Sequence, residues 1–324
     1  MPKRFDALAV GAPISRAVAL AIRAGVDARV VRAEERDTRV VVEFPAHIAW
    51  IALGAAASAR LRVEDAVFRA LRGRLSVAIP MPVLASEGVC LRTRVSGQSG
   101  LEFHQSVMKD PTLGAAYAVE IGTLCAAIHS ALPTSEVDAL VAAGLPTTPL
   151  LDLDDVLRAA RAFGDPRTGH ALALVDSHQA RSATPTDCTL LHGDLGSHNL
   201  VVADDGRISG LFDFEEACFG DRHHEFRWLP SFGEDFMARA LAAYQEQTEA
   251  VVDVDRVRRL HALVAMAQLG WGLRAPDQHN RNGANRRPDA PLGRTRRRCR
   301  LVTTDAHGLT IPPSLLARAD RVIE

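Results

Sequence analysis

The stretch Leu190-Leu191-His192-Gly193-Asp194-Leu195-Gly196-Ser197-His198-Asn199-Leu200 decides the fold, with Gly206-Arg207-Ile208-Ser209-Gly210-Leu211-Phe212-Asp213-Phe214-Glu215 as its answer. An apolar pair leads into His-Gly-Asp, and Asn199 follows Asp194 by five residues. The run Leu200-Val201-Val202, the turn Ala203-Asp204-Asp205-Gly206 and the run Ile208 to Phe212 spell strand, turn, strand. Gly206 suits the turn because glycine takes a positive φ at no steric cost. Closing the hairpin brings Asn199 towards Asp213, with Asp194 hanging from the loop just before.

These residue types suit one chemistry. A carboxylate placed as a base, with an amide and a second carboxylate as hard oxygen ligands, is what transfer of a phosphoryl group from a magnesium nucleotide needs. Magnesium takes oxygen ligands and keeps waters and phosphates in its shell. The transfer itself is mostly positioning and charge neutralisation. An Asx-rich surface turn accounts for any one of these residues but not for their order and spacing.

His192-Gly193-Asp194-x-x-x-x-Asn199 followed by a strand ending in Asp213 resembles the aminoglycoside phosphotransferase family of antibiotic kinases. The resemblance implies an α+β, two-lobed protein-kinase-like fold with a small β-rich N-lobe and a mostly helical C-lobe. It implies Asp194 as catalytic base, Asn199 and Asp213 as Mg²⁺ ligands, His192 as a residue that shapes the loop, and ATP or GTP as co-substrate. The lobes are expected over 1–95 and 96–274, with an irregular Arg-rich tail over 275–324.

Composition bounds the rest. At 324 residues the chain is long enough for two lobes. Its 38 basic and 39 acidic residues leave a net charge of −1, which gives no reason to expect nucleic acid or a membrane surface as partner. Five scattered cysteines (Cys90, Cys125, Cys188, Cys218, Cys299) show no zinc spacing and suit buried thiols in a reducing cytosol. The N-terminus lacks the layout of a signal peptide, and the apolar segment Ile48 to Ala59 is too short to span a bilayer. A cytoplasmic monomer or homodimer is expected.

Before the decisive stretch, the pattern predicts a helix over Ile14–Ala24 and a hairpin of Ala28–Arg32 with Arg39–Phe44, joined by the charged stretch from Glu34. The resemblance lays that hairpin over the nucleotide phosphates, although its loop has no Gly-rich signature. It also aligns Val40-Val41-Val42-Glu43-Phe44-Pro45 with a family strand that carries Lys or Arg where Glu43 stands. A carboxylate there would repel a phosphate, so either the alignment is off by a residue or two, or another cation serves, or the enzyme is weakened or inactive. Arg39 shares the face of Glu43, since side chains alternate along a strand, and Arg60 and Arg62 are further candidates.

Ser58 to Leu71 reads as an amphipathic helix, and Glu64 falls where the family has its helix glutamate; a solvated surface glutamate is the alternative. Gly88–Val95 is a strand, Ser96–Gly100 a flexible link, and the resemblance puts adenine against the backbone from Thr93 to Val95. Helices follow over Leu113–Leu132, Leu151–Phe163 and His170–Arg181, with His129 a packing or C-terminal dipole residue and Asp152 or Asp154 a cap.

After Asp213, the resemblance matches Asp221 and Glu225, and Asp221 is expected to cap the next helix. His223-His224 lack a third ligand at zinc spacing. Helices are predicted over Phe236–Tyr244 and Val254–Leu273. Pro276–Arg300 is Arg-, Asn-, Gly- and Pro-rich without periodicity, a disordered tail or a reading-frame change after about Arg274. A short helix is expected over Ile311–Ile323. The expected activity is phosphorylation of a hydroxyl on a small antibiotic, an aminoglycoside first and then a macrolide, peptide or nucleoside drug. The rivals are a metabolic small-molecule kinase and a pseudokinase.

Overall fold

The structure is a computed structural model that describes residues 11–274 except 37, 108, 149–150, 152, 164–166 and 180–186, together with 302–304 and 309–311. Helix α1 (Gly11–Arg23) precedes strands β1 (Arg32–Glu35), β2 (Arg39–Glu43) and β3 (His47–Ala52), then α2 (Ala55–Ala70), β4 (Pro82–Ser86) and β5 (Val89–Thr93). The strands form one antiparallel sheet in the order β1-β2-β3-β5-β4.

Alternation along these strands supplies two apolar faces. Val40, Val42, Phe44, Ala49, Ile51, Val89 and Leu91 pack against Ala17, Leu20 and Ala21 of α1. Val41, Trp50 and Cys90 point the other way and meet Leu61 of α2. A strand covered on both faces reads as a continuous apolar run. That is why β3 was hidden inside the segment from Ile48, which sequence alone leaves unassigned; Gly54, at φ 109°, is the true break before α2. The first hairpin strand is also displaced from Ala28–Arg32 to Arg32–Glu35. It lies at the sheet edge, where the charged side chains of Arg32 and Glu34 remain half-wet and pair with each other at 2.8 Å.

Strand β6 (Gln98–Ser99) leads into α3 (Gly100–Val107), α4 (Pro111–Ser130) and α5 (Thr134–Ala142); α6 (Leu153–Phe163) and α7 (Arg167–Gln179) follow. Asp110 caps α4 by accepting from the N–H groups of Thr112 (2.9 Å) and Leu113 (3.2 Å), with Pro111 at the first helical position. By length and composition alone α4 is apolar enough to cross a membrane. Its Tyr117, Ile121, Leu124, Cys125 and Ile128 are buried in the core.

Strand β7 (Cys188–Leu191) pairs with β10 (Cys218–Asp221), and between them β8 (Leu200–Val202) and β9 (Ile208–Leu211) form the expected hairpin. Helices α8 (Glu234–Thr248) and α9 (Val254–Arg274) follow. A Cβ on Gly122 of α4 would stand 2.0 Å from the Ala240 carbonyl of α8, so the glycine is what lets these helices touch.

The chain divides into two compact units, Met1–Pro149 with Thr186–Val252, and Leu150–Pro185 with Asp253–Glu324. β6, in the expected flexible link, pairs with β8, and Ala78 bridges Gly210 of β9, so sheet and hairpin belong to one unit. In the second unit Val156, Ala159 and Ala160 of α6 and Val175 of α7 pack with Leu263, Met266 and Leu269 of α9. The tail expected to be irregular contains an antiparallel ribbon, Val302–Thr304 with Leu309–Ile311. The cap Asp152 and the helix expected beyond Ile311 lie outside the described residues.

Candidate active site

The loop between β7 and β8 is held from three sides. The His192 N–H donates to Glu225 Oε2 at 2.6 Å. The His192 ring takes a second pair of contacts: Nε2 lies 3.0 Å from the Phe212 carbonyl, and Nδ1 accepts from the Asp194 N–H at 3.2 Å. Those two partners hold the ring across the base of the loop. Gly193 sits at φ 85° with Glu216 so close that a Cβ would lie 2.0 Å from its carbonyl oxygen. The Gly193 carbonyl accepts from buried Arg227, which also donates to the His224 carbonyl at 2.9 Å.

So held, Asp194 meets two neighbours from the 3-10 turn Ser197–Asn199. His198 Nε2 lies 2.9 Å from Asp194 Oδ2, and Asn199 Nδ2 donates to the Asp194 carbonyl (2.8 Å) and to Oδ2 (3.0 Å). Burial works to raise the Asp194 carboxyl, but the His198 hydrogen bond and charge, with Arg227 and His192, hold it down at about 2. Burial would lower His198, and its bond to Asp194 and the charges of Asp194, Asp213 and Glu216 raise it instead. Nearby Glu216 is pushed up to about 7 by burial and by the Asp194 charge, against the opposing pull of Arg227.

The hairpin then delivers Asp213. Its φ of 67° is left-handed, rare for a non-glycine residue, and it starts the 3-10 turn Phe214–Glu216. Asp213 Oδ1 accepts from Arg39 Nη2 at 3.0 Å, and the same guanidinium bonds Glu215. Arg39 also stacks over Trp50, 4.3 Å from the ring centroid, and lies 3.9 Å from Glu64 Oε2. With Thr38, Ala52, Ala57, Arg60, Leu61, Glu64 and Glu215 it lines a small cleft.

Glu64 is not the solvated surface residue of the alternative reading. It is buried and paired at 2.9 Å with Arg92 Nη1 on β5. Arg92 turns its other nitrogens to Asp65 Oδ1, Nη2 at 2.7 Å and Nε at 2.8 Å.

Glu43 lies at the far end of its strand from Arg39. The strand that enters α2 is β3, not β2, and Glu43 ends β2 four residues from Arg39, about 13 Å along the strand. Among the other candidate cations, Arg60 reaches to 3.9 Å of Glu215 and Arg62 bonds Ser58 within its own helix. Thr93 is tied into the sheet: its N–H donates to the Met81 carbonyl and its Oγ1 accepts from the Met81 N–H. That N–H is therefore not open to an adenine base. Val95 packs on Gly210, whose missing side chain makes room for it.

Asp221 caps the following helix through the His223 N–H and also engages the His223 ring. His129 packs between Phe226 and Tyr244 as a buried ring. Among the described residues no group of three His, Cys, Asp or Glu side chains could hold a metal. The donors at the hairpin mouth still fit magnesium. Asn199 spends its amide nitrogen on Asp194, which leaves Oδ1 as its acceptor, and Asp213 adds a carboxylate that already attracts a cation.

Three contributors had no sequence signal. His198 meets Asp194 only because the 3-10 turn folds back, and Arg227 and Arg92 reach their partners across long stretches of chain.

The sequence profile described as the phosphotransferase enzyme family matches residues 18–261. Hygromycin-B 4-O-kinase of Escherichia coli is 34% identical over 86 residues, covering 21% of this chain and 25% of that kinase, so the match spans a quarter of the relative's length. Among solved structures, the GDP and kanamycin complex of APH(2")-IIia superposes with a TM-score of 0.60 at 20% identity, covering 80% of this chain and 92% of that one. The apoenzyme of a macrolide 2'-phosphotransferase from Brachybacterium faecium superposes with a TM-score of 0.58 at 20% identity, over 80% and 91%. At that identity the likeness concerns the fold, which is the expected kinase-like α+β architecture.

Proposed function

Because the chain belongs to the phosphotransferase enzyme family, we propose that it transfers the γ-phosphoryl group of ATP or GTP to a hydroxyl of a small antibiotic. One observation carries this reading: the loop and hairpin bring an ionised Asp194, an oriented Asn199 and Asp213 to one mouth. Asn199 and Asp213 are the residues that would hold Mg²⁺. Bound there, the ion would supply charge neutralisation on the phosphates.

Asp194 orients the acceptor hydroxyl through its carboxylate. A carboxylate held at about 2 takes little proton density from an alcohol at rest, so the proton passes to it late, as the bond to phosphorus forms. Glu64 stands behind the cleft and fixes α2, and the base would lie against the backbone at Val95 rather than at the Thr93 N–H. An aminoglycoside is the first substrate class, in keeping with Glu215 and Glu216 beside the loop, and macrolides follow. The protein would work in the cytoplasm, as a monomer or homodimer.

The test is nucleotide consumption by purified protein with Mg²⁺ against aminoglycosides, macrolides and other hydroxylated antibiotics. Turnover should fall at least a thousandfold in Asp194→Ala while nucleotide binding persists. Full activity in that variant would refute the assignment of the base. Turnover with hydroxylated metabolites and no drug would replace the substrate class.

A further inference from the structure

Arg39 has two kinds of neighbour. Asp213 and Glu215 are bonded to it directly, whereas Glu64 stands off at 3.9 Å. Glu64 does not depend on it, because Arg92, buried at 1% exposure, holds the same Oε2 at 2.9 Å and fixes Asp65 besides. Removing a partner from a buried carboxylate is strongly unfavourable, and here Arg92 prevents that loss if Arg39 moves. Asp213 and Glu215 are partly open, with side chains 19% and 22% exposed, so water or another cation can replace the guanidinium there.

Resting on the phosphotransferase reading, we infer that Arg39 is an exchangeable cation. It neutralises Asp213 and Glu215 in the empty cleft and passes to the nucleotide's phosphate oxygens when a divalent ion takes Asp213. A divalent ion on Asp213 would repel the guanidinium bonded to Oδ1 of the same carboxylate, and phosphate oxygens offer that guanidinium an anion to turn to. A guanidinium suits either partner, since its planar fork matches carboxylate and phosphate alike. The Trp50 face, 4.3 Å from the guanidinium carbon, gives it a platform on which to turn without leaving the cleft. Arg39 is thus a binding residue of the nucleotide site, and Arg92 the positioning residue that frees it.

The exchange predicts effects of opposite sign from one substitution. In Arg39→Met, Mn²⁺ alone, followed by its electron paramagnetic resonance signal, should bind at least threefold tighter because its competitor is gone. ATP and GTP, titrated calorimetrically with Mg²⁺, should bind at least tenfold more weakly. Arg39→Lys should fall between the two proteins in both measurements, and circular dichroism establishes that each variant is folded. A merely structural arginine would weaken both ligands together. That result, or two unchanged affinities in a wild-type protein that binds nucleotide, overturns the exchange and leaves the phosphotransferase reading standing. A folded wild-type protein that binds neither nucleotide overturns both.

Discussion

Arg92→Met offers the sharpest test of what holds the N-terminal sheet to α2. Methionine keeps most of the volume over Phe68 and Trp50 but removes the charge that lies between Glu64 and Asp65. Deleting one partner of a buried pair costs about 3–5 kcal/mol. Two carboxylates lose their partner here, but Asp65 keeps the Cys90 thiol at 2.6 Å and Glu64 keeps Arg39 at 3.9 Å, which argues for about 4 kcal/mol rather than double the range. Urea unfolding followed by circular dichroism measures it. The sign of the pH dependence is fixed as well. Burial already raises the Glu64 carboxyl, with Arg92 as the largest opposing pull. Without Arg92 its folded pKa rises further above the unfolded value, so stability is lost as pH rises and regained on acidification. The deficit should therefore be smaller at pH 5 than at pH 8. Adding Glu64→Gln to Arg92→Met should recover a substantial part of it. A deficit under about 1 kcal/mol, or a double variant no more stable than the single one, would refute the account.

Two further outcomes follow from the loop. Glu216, pushed up to about 7, contributes stability that is present below its unfolded value of 4.5 and lost as pH rises through 7. Its side chain is 34% exposed, and after discounting for solvent the effect is about 1 kcal/mol; Glu216→Gln should flatten thermal stability between pH 5 and 8. Gly193→Ala must fit a Cβ 2.0 Å from the Glu216 carbonyl at φ 85°. It should destabilise the protein by at least about 2 kcal/mol and abolish turnover; a variant with wild-type melting and activity would show the loop to be looser than described.

What could be read in the sequence was what is local. The His192–Asp213 hairpin carries its turn and its candidate ligands within a short stretch, and α1 and α4 announce themselves by helical spacing, so the hairpin and these helices are found where expected. Arg39 was legible as a candidate because alternation along one strand puts it on the face of Glu43. Strand β3 was not, because a strand buried on both faces has no alternation to show. The pairing of Glu64 with Arg92, and the bracing of Gly193 by Arg227, depend on residues 28 and 34 positions apart that meet only through the completed fold. His198 was in plain view, but nothing in the spacing said that a 3-10 turn would aim it at Asp194.

The buried thiols carry a consequence of their own. Cys90 on β5, Cys125 on α4 and Cys218 on β10 are nearly sealed from solvent, and burial raises all three thiols, Cys90 and Cys218 to about 12. At neutral pH a thiolate-seeking reagent finds almost nothing to attack in the closed molecule. Each alkylation event therefore counts one opening of the element around it. With Cys188, only half-buried, and Cys299 replaced by serine, the remaining three thiols are clocks built into the sheet, the long helix and the β7–β10 strand pair. Their relative rates would rank how often each breathes. If Arg92 does fasten α2 to β5, the Cys90 clock should run fast when it is removed, while that of Cys125 keeps closer to its time.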